Sequence, residues 1–365
     1  MHEIKVCSIA IRKTRIIMNT FKYFQVITRS NYDIVNFCLL NKKRSTFMIY
    51  SQQINKMKKC YSIKQRKNSP QTKHFILSGS FLFNLFFPKE EKDDVEELTM
   101  TIKRSILLIQ KEEFLKAEQM LHIALRQAQT LQHYDGITYV YDVMANLAYD
   151  TNDYKKAEKL FKSVLQRLIA KGVPQDDLAI IHISLKIADT YDKIGDKQKA
   201  DTGYKFCLQH LQNHLAKDSE NLDALQLLGL NLEKYASMLF SQSQYNNALE
   251  YFTKAYDISI KINGEENEQT VILLNNLASV CYILQKYDET IKYLSKAAEI
   301  GHKLPDMVEL GFIHVNLGHA FISKGLYEEA KKNCSKGENL AKARNDNETV
   351  VEAKKCLEQI ESLIL

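Results

Sequence analysis

The sequence predicts an all-α fold, a right-handed superhelical solenoid of about six helical hairpins with a C-terminal capping helix. Three observations predict it. The 365 residues include only 12 glycines and 4 prolines, too few turn formers for a fold of many short strands. A short block with helical spacing recurs six times between residues 114 and 337. The two prolines beyond residue 89, Pro174 and Pro305, fall between copies of the block, where a helix can end without cost.

The recurring block carries an aromatic or long residue, a small one, a large one and a second, usually small one at spacings 0, 3, 7 and 10. This spacing forms one face of a helix, as in Tyr154, Ala157, Phe161 and Val164. The first small position falls at 117, 157, 200, 248, 290 and 330, so the intervals are 40, 43, 48, 42 and 40. An upstream helix carries another small residue twelve positions earlier, at 145, 188, 236, 278 and 318. The pattern therefore predicts pairs of helices that approach closely at small residues.

This pattern resembles the tetratricopeptide repeat, in which two antiparallel helices are knitted together by alternating small and large residues. The resemblance implies a repeat domain over residues 89–365, with units near 98–135, 138–171, 181–214, 220–262, 271–303 and 311–344 and a cap over 347–365. The intervals exceed the usual 34 residues, a long period that kinesin light chains share, and Leu274–Ala278 resembles their repeat as well. A generic helical bundle would not repeat an aromatic–alanine register at intervals of about 40 residues.

The first part of the chain differs sharply in charge. Residues 1–89 carry 17 Lys+Arg against two acids, a net +15, whereas residues 90–365 carry 33 Lys+Arg against 42 acids, a net −9. Nucleic-acid binding by a basic domain face is therefore not expected. We expect residues 1–73 to be a basic, disordered mitochondrial targeting region, since transit peptides are basic and acid-poor. A disordered basic tail of a cytosolic protein is the alternative.

Residues 74–88 form a short Phe-rich hydrophobic segment between the basic region and the repeats. A helix of fifteen residues is about 22 Å long, short of the roughly 30 Å hydrocarbon core of a bilayer. We expect peripheral or partial membrane contact through residues 75–87. Docking on the first repeat is the alternative.

Polar residues on the first helix of each pair are the candidate binding residues. Asparagine side chains there could hydrogen-bond the backbone of an extended peptide, since each offers both a donor and an acceptor. A neutral or basic peptide is expected, because no Lys or Arg clamp for a carboxylate is found at these positions. The alternative is that the positions are simply solvated. The candidate groove residues are Asp142, Asn146, Asp189, Glu233, Asn276, Asn316 and His319.

The sequence offers no residues for catalysis. It has no nucleophile elbow, phosphate-binding loop, zinc-protease motif or dinucleotide fingerprint, so we expect no catalytic, cofactor-binding or metal-binding residue and no cofactor. His210 and His214, four residues apart, are the one pair with metal-ligand spacing and are interpreted as surface residues. Cys207 and Cys334 occupy interlocking positions and are expected to be buried as small apolar residues.

Several stretches resemble one mitochondrial family of tetratricopeptide repeat proteins more closely than the repeat in general. They are Met100–Ile106, Ala117–Arg126, Ile137–Ala148 and Ile180–Ala188. The resemblance implies a non-enzymatic scaffold at the mitochondrial inner membrane that binds respiratory complex III, the cytochrome bc1 complex. It also implies support of the assembly and maintenance of that complex, including turnover of fragments of its Rieske subunit. A cytosolic peptide or cargo adaptor of the kinesin-light-chain kind is the alternative.

Overall fold

A computed structural model describes residues 93–305 and 307–364. The expectations for residues 1–73 and for the Phe-rich segment 74–88 lie outside the described residues. Thirteen α-helices and no strand occur in the described part, which confirms the all-α repeat fold. The helices are α1 (Asp93–Gln110), α2 (Phe114–Thr130), α3 (Tyr134–Asp150), α4 (Tyr154–Ala170), α5 (Leu178–Ile194), α6 (Lys197–Lys217), α7 (Leu222–Ser241), α8 (Tyr245–Asn263), α9 (Glu268–Ile283), α10 (Tyr287–Lys303), α11 (Leu310–Ser323), α12 (Tyr327–Ala343) and α13 (Asn347–Ile364).

The described residues fall into two compact units. The first contains residues 93–180, where α1 packs on α2, α2 on α3 and α3 on α4. The second begins at Ile181, within α5, and continues to the end of α13. In it each helix from α6 onward packs on the next, and α13 contacts both α11 and α12. Each unit is thus a run of antiparallel hairpins built from sequence neighbours, as expected for a repeat protein.

The turn inside each helical pair has the same backbone geometry. One residue with positive φ stands five positions before the first small residue of the recurring block; these residues are Glu112, Asn152, Gly195, Ser243, Gln285 and Gly325. The next residue donates its backbone N–H to a carbonyl oxygen in the last turn of the preceding helix. Examples are Lys286 N to Cys281 O at 2.8 Å and Leu326 N to Phe321 O at 2.9 Å. A left-handed residue closed by this hydrogen bond ends the helix and reverses the chain. Four of the six positions do not hold glycine, although glycine adopts positive φ most easily.

The recurring block forms the contact between the two helices of each pair. Its small first position is completely buried in all six copies, at Ala117, Ala157, Ala200, Ala248, Thr290 and Ala330. Close approach is visible at Gly203, where an added Cβ would lie 2.7 Å from the Cβ of Ala188. In three copies the leading aromatic packs edge-to-face on an aromatic of the preceding helix with ring centroids 5.4 Å apart, as Tyr282 and Tyr287 do. The register read from the sequence is therefore the packing register of the fold.

The last helix covers the end of the second unit. Ala353, Cys356 and Ile360 of α13 pack into a small apolar cluster with Val315 and Cys334. Its opposite face is mostly charged, with Lys354, Lys355, Glu358 and Glu361 exposed. Terminal repeats need a polar outer face to stay soluble, so α13 fits the expected role of a cap.

The expectation for the buried cysteines holds for Cys207, which is 0% exposed and a free thiol. For Cys334 it is incomplete. Cys334 is also 0% exposed, but it forms a disulfide with Cys356 of α13. The sequence contains no motif that indicates this pairing.

None of the described helices is both long enough and apolar enough to cross a membrane.

Candidate protein-binding face

The two helices of each pair differ in burial. The central turns of α3, α5, α7, α9 and α11 have no exposed residue, whereas the second helices of the pairs each expose one side to solvent. Six of the seven candidate groove residues are less than a tenth exposed, and Glu233 is half-buried. Side chains this buried have little contact with solvent. We use the name odd-helix face for the candidate positions within each unit.

In the second unit, polar side chains of neighbouring odd-numbered helices meet in pairs. Lys234 Nζ of α7 lies 3.7 Å from Asp189 Oδ2 of α5. Gln269 Nε2 of α9 donates to Glu233 Oε2 of α7 at 2.6 Å. The structure therefore brings Asp189 and Glu233 into one polar row along α5, α7 and α9.

The row continues to α11. Asn316 Nδ2 donates to Asn275 Oδ1 of α9 at 3.0 Å. Asn276 and His319, one helical turn or less away from this pair in sequence, are 3% and 9% exposed. Much of the hydrogen-bonding capacity of the second unit's odd-helix face is thus used between the helices themselves.

The first unit contributes Asp142 and Asn146, both on α3. Asn146 Nδ2 donates to Asp142 Oδ2 at 3.1 Å, and the two residues are 7% and 3% exposed, respectively. They are one helical turn apart, so this contact forms within the helix.

Some polar atoms on this face have no hydrogen-bond partner among the described residues. They are Asn146 Oδ1 in the first unit and Asn316 Oδ1 and His319 Nδ1 in the second. A buried polar atom without a partner costs about 1–3 kcal/mol, so native structures usually satisfy it with water or with a bound group. Two of the three atoms are amide oxygens, which accept hydrogen bonds, and such acceptors suit backbone N–H groups of an extended peptide.

Burial also sets the charge of this face. Burial lowers the pKa of His319 to about 4, so its imidazole is neutral at physiological pH. Burial raises the pKa of Glu233, against the opposing effects of Lys234 and Gln269. The pKa of Lys234 is raised as well, because Asp189, Glu233 and Asp192 together outweigh the cost of burial. Lys234 therefore stays charged beside two acids.

Sequence reasoning missed Lys234, Gln269 and Asn275. Lys234 is a cation that pairs with Asp189, although it does not stand at one of the predicted groove positions. Lys234 and Asn275 each stand next to a candidate, and Gln269 lies two helical turns before Asn276. The contact that makes each of them relevant comes from another repeat. These contacts depend on how neighbouring repeats pack on one another, which the sequence pattern does not give.

The histidine pair with metal-ligand spacing has no third ligand among the described residues. His210 and His214 are both half-buried on α6, and His210 packs on the ring of Phe206 with centroids 4.4 Å apart. Among the described residues, no group of three or more His, Cys, Asp and Glu side chains could hold a metal ion.

Family models for the tetratricopeptide repeat match residues 226–301 and 313–344. Among solved structures, BtubC from P. vanneervenii superimposes with a TM-score of 0.52 at 19% identity, covering 70% of this chain and 93% of that one. RapI gives a TM-score of 0.53 at 17% identity, with 62% and 82% covered. At this identity the two structures show the fold alone.

Relatives found by sequence similarity define the family more narrowly than the solved structures do. The mitochondrial tetratricopeptide repeat protein 19 homolog of Drosophila melanogaster is 40% identical over 80% of this chain and 79% of its own length. Human mitochondrial tetratricopeptide repeat protein 19 is 32% identical over 71% and 70%. These mitochondrial names do not favour the cytosolic adaptor. The chain belongs to the tetratricopeptide repeat protein 19 family.

Proposed function

We propose that this chain is a non-enzymatic scaffold that binds respiratory complex III at the mitochondrial inner membrane through its odd-helix face. In this proposal it supports assembly and maintenance of complex III, including the turnover of Rieske-subunit fragments. Family membership and the mitochondrial names of the relatives support the compartment. The basic region 1–73 supplies the targeting region, and residues 75–87 supply the membrane contact.

The observation that carries the binding surface is the pair of unpartnered polar atoms at Asn316 and His319 on α11. The two residues lie about one helical turn apart in the second unit, and Asn316 Oδ1 is a peptide-like acceptor. An extended segment of a partner protein would satisfy them with its backbone, at the cost of opening the tight packing around α11. Binding of this kind needs no catalytic group on the scaffold.

Substitution of His319 by Phe separates binding from folding. Phenylalanine replaces the imidazole with a slightly larger apolar ring and removes the unpartnered Nδ1, so the variant should stay folded, which its urea midpoint checks. Tagged wild-type and variant chains are expressed in mitochondria, and complex III subunits that co-purify are quantified by mass spectrometry. We expect the wild type to recover complex III, including the Rieske protein, and His319→Phe to recover several-fold less.

The matched control is His210→Phe, the same substitution on α6, where the imidazole already packs on Phe206. It should recover as much complex III as the wild type. The proposal fails if the wild type recovers no complex III, or if both variants recover as much as the wild type. Accumulation of Rieske fragments when the chain is depleted tests the maintenance role separately.

A further inference from the structure

The two sulfur atoms of Cys334 and Cys356 lie where α11, α12 and α13 meet. Cys334 lies on α12 and Cys356 on α13, with their Cα atoms 6.1 Å apart, within the range that a disulfide spans. Gly318 of α11 leaves the necessary space, since an added Cβ there would lie 2.1 Å from Cys334 Sγ and 3.2 Å from Cys356 Sγ. The pair therefore joins the cap to the last repeat at the point where α11 also makes contact.

Besides the disulfide, the cap is held by one face of α13, whose buried residues include Thr349, Ala353 and Ile360. The noncovalent core under α13 is the small cluster that includes Ala353 and Ile360 of the cap with Val315 and Ile322 of α11. Several of its members are small, so the area that this cluster buries is modest. A terminal helix that packs on one side only is also where a repeat array opens first. A disulfide that joins residues 22 positions apart is expected to make separation of α13 less frequent.

We propose that Cys334 and Cys356 form a reversible disulfide latch that controls undocking of the capping helix α13. In the oxidised state α13 is tied to α12. In the dithiol state α13 undocks more often, and each undocking uncovers the apolar side chains Val315 and Ile322 on α11.

The latch closes by thiol–disulfide exchange with a disulfide such as oxidised glutathione. One cysteine loses its proton, and its thiolate attacks the glutathione disulfide, forming a mixed disulfide and releasing one glutathione thiolate. The second cysteine then attacks as a thiolate, which forms the Cys334–Cys356 bond and releases the second glutathione. The protein loses two electrons and two protons, and one glutathione disulfide is reduced to two thiols.

Both sulfurs are 0% exposed, so neither can react while α13 is docked. Exchange with glutathione therefore requires the same motion that the disulfide suppresses. This coupling distinguishes a latch from two thiols that are buried side by side for packing alone.

The test uses the purified full chain in glutathione buffers that run from reducing to oxidising. After free thiols are blocked, peptide mapping should find residues 333–336 joined to residues 356–365 in oxidising buffer, and separate after reduction. Hydrogen–deuterium exchange of the α13 amides should be slower by on the order of tenfold or more in the oxidised protein. Amides of α3 and α4, in the other unit, should be unchanged.

Two variants complete the test. Cys356→Ala should exchange its α13 amides at a rate that no longer depends on the buffer. Cys281→Ser, which removes a buried free thiol of α9, should keep the wild-type dependence. The proposal is overturned if the joined peptide forms in no buffer, or if α13 exchanges equally fast in both states of the wild type. The comparison of the two states needs no substitution, so it stands even if Cys356→Ala does not fold.

Discussion

Replacement of Gly337 by alanine tests whether the helices of a pair are held together at positions where only a very small residue fits. Gly337 lies on α12 at the last position of the recurring block. An added Cβ there would lie 2.7 Å from Gly311 O and 2.7 Å from Val315 Cγ2. Because one of these atoms is backbone, it cannot turn away, and α11 and α12 must separate.

The expected loss of stability follows from two opposing effects. Overpacking of this kind costs about 1–3 kcal/mol. Alanine gains back up to about 1 kcal/mol over glycine in a helix interior. We therefore expect Gly337→Ala to lower the free energy of unfolding by about 0–3 kcal/mol, centred on about 1.5 kcal/mol.

Gly229 on α7 is the matched control. Its added Cβ would meet only the side chain of Ile258, at 3.2 Å from Cγ2, and that side chain can adjust. Gly229→Ala should be neutral or stabilise by up to about 1 kcal/mol. Urea unfolding followed by far-UV circular dichroism measures both. Stabilisation of the same size by both substitutions would refute the close-packing argument.

Three further predictions follow from the turns, the buried charges and the histidines. At the left-handed turn positions, Gln285→Gly should raise the free energy of unfolding and Gly325→Ala should lower it, each by up to about 1 kcal/mol in urea unfolding. Asp189→Ala should destabilise by about 1–3 kcal/mol, because the largely buried Lys234 loses one of its neighbouring acids. Glu250→Ala in an exposed pair should change stability by less than about 0.5 kcal/mol, and equal losses would contradict this. Burial lowers the pKa of His319 to about 4 from its usual 6.5. Between these two values the unfolded chain binds more protons than the folded one, so the contribution of His319 to the free energy of unfolding is complete above pH 6.5 and is lost on acidification. His319 alone should remove about 2 kcal/mol by pH 5, and His319→Phe should show a correspondingly shallower loss in urea midpoints measured from pH 7.5 to pH 5.

The repeat register could be predicted from sequence because it depends on residues of one helix and its immediate neighbour. Ala157, Ala200 and Ala248 are recognisable at a fixed spacing, and each is completely buried where the pattern places it. The local spacing of side chains on a helix is set by backbone geometry alone. The number and order of the helical pairs can therefore be predicted from the sequence.

Contacts between repeats could not be predicted in the same way. Lys234 reaches Asp189 only because α7 lies beside α5, and nothing in the sequence around residue 234 marks that contact. Cys334 and Cys356 are 22 residues apart in a chain with seven cysteines, and sequence alone does not decide which of them pair.

The left-handed turns at Ser243 and Gln285 are a third example. Both residues adopt positive φ although other copies of the same turn use glycine. The closing hydrogen bond and the packing of the two helices impose that conformation, so it belongs to the assembled pair and not to the residue. Sequence reasoning identifies such a turn by its place in the repeat and not by its residue type.

Binding of complex III through the odd-helix face can be tested most directly by site-specific photo-crosslinking in mitochondria. A photoreactive amino acid is placed at Gln269, half-buried in the polar row of α9, or at Thr253, exposed on α8. The proposed function predicts crosslinks to complex III subunits from position 269 and none from position 253. Crosslinks to complex III from position 253 alone, or from neither position, would contradict it.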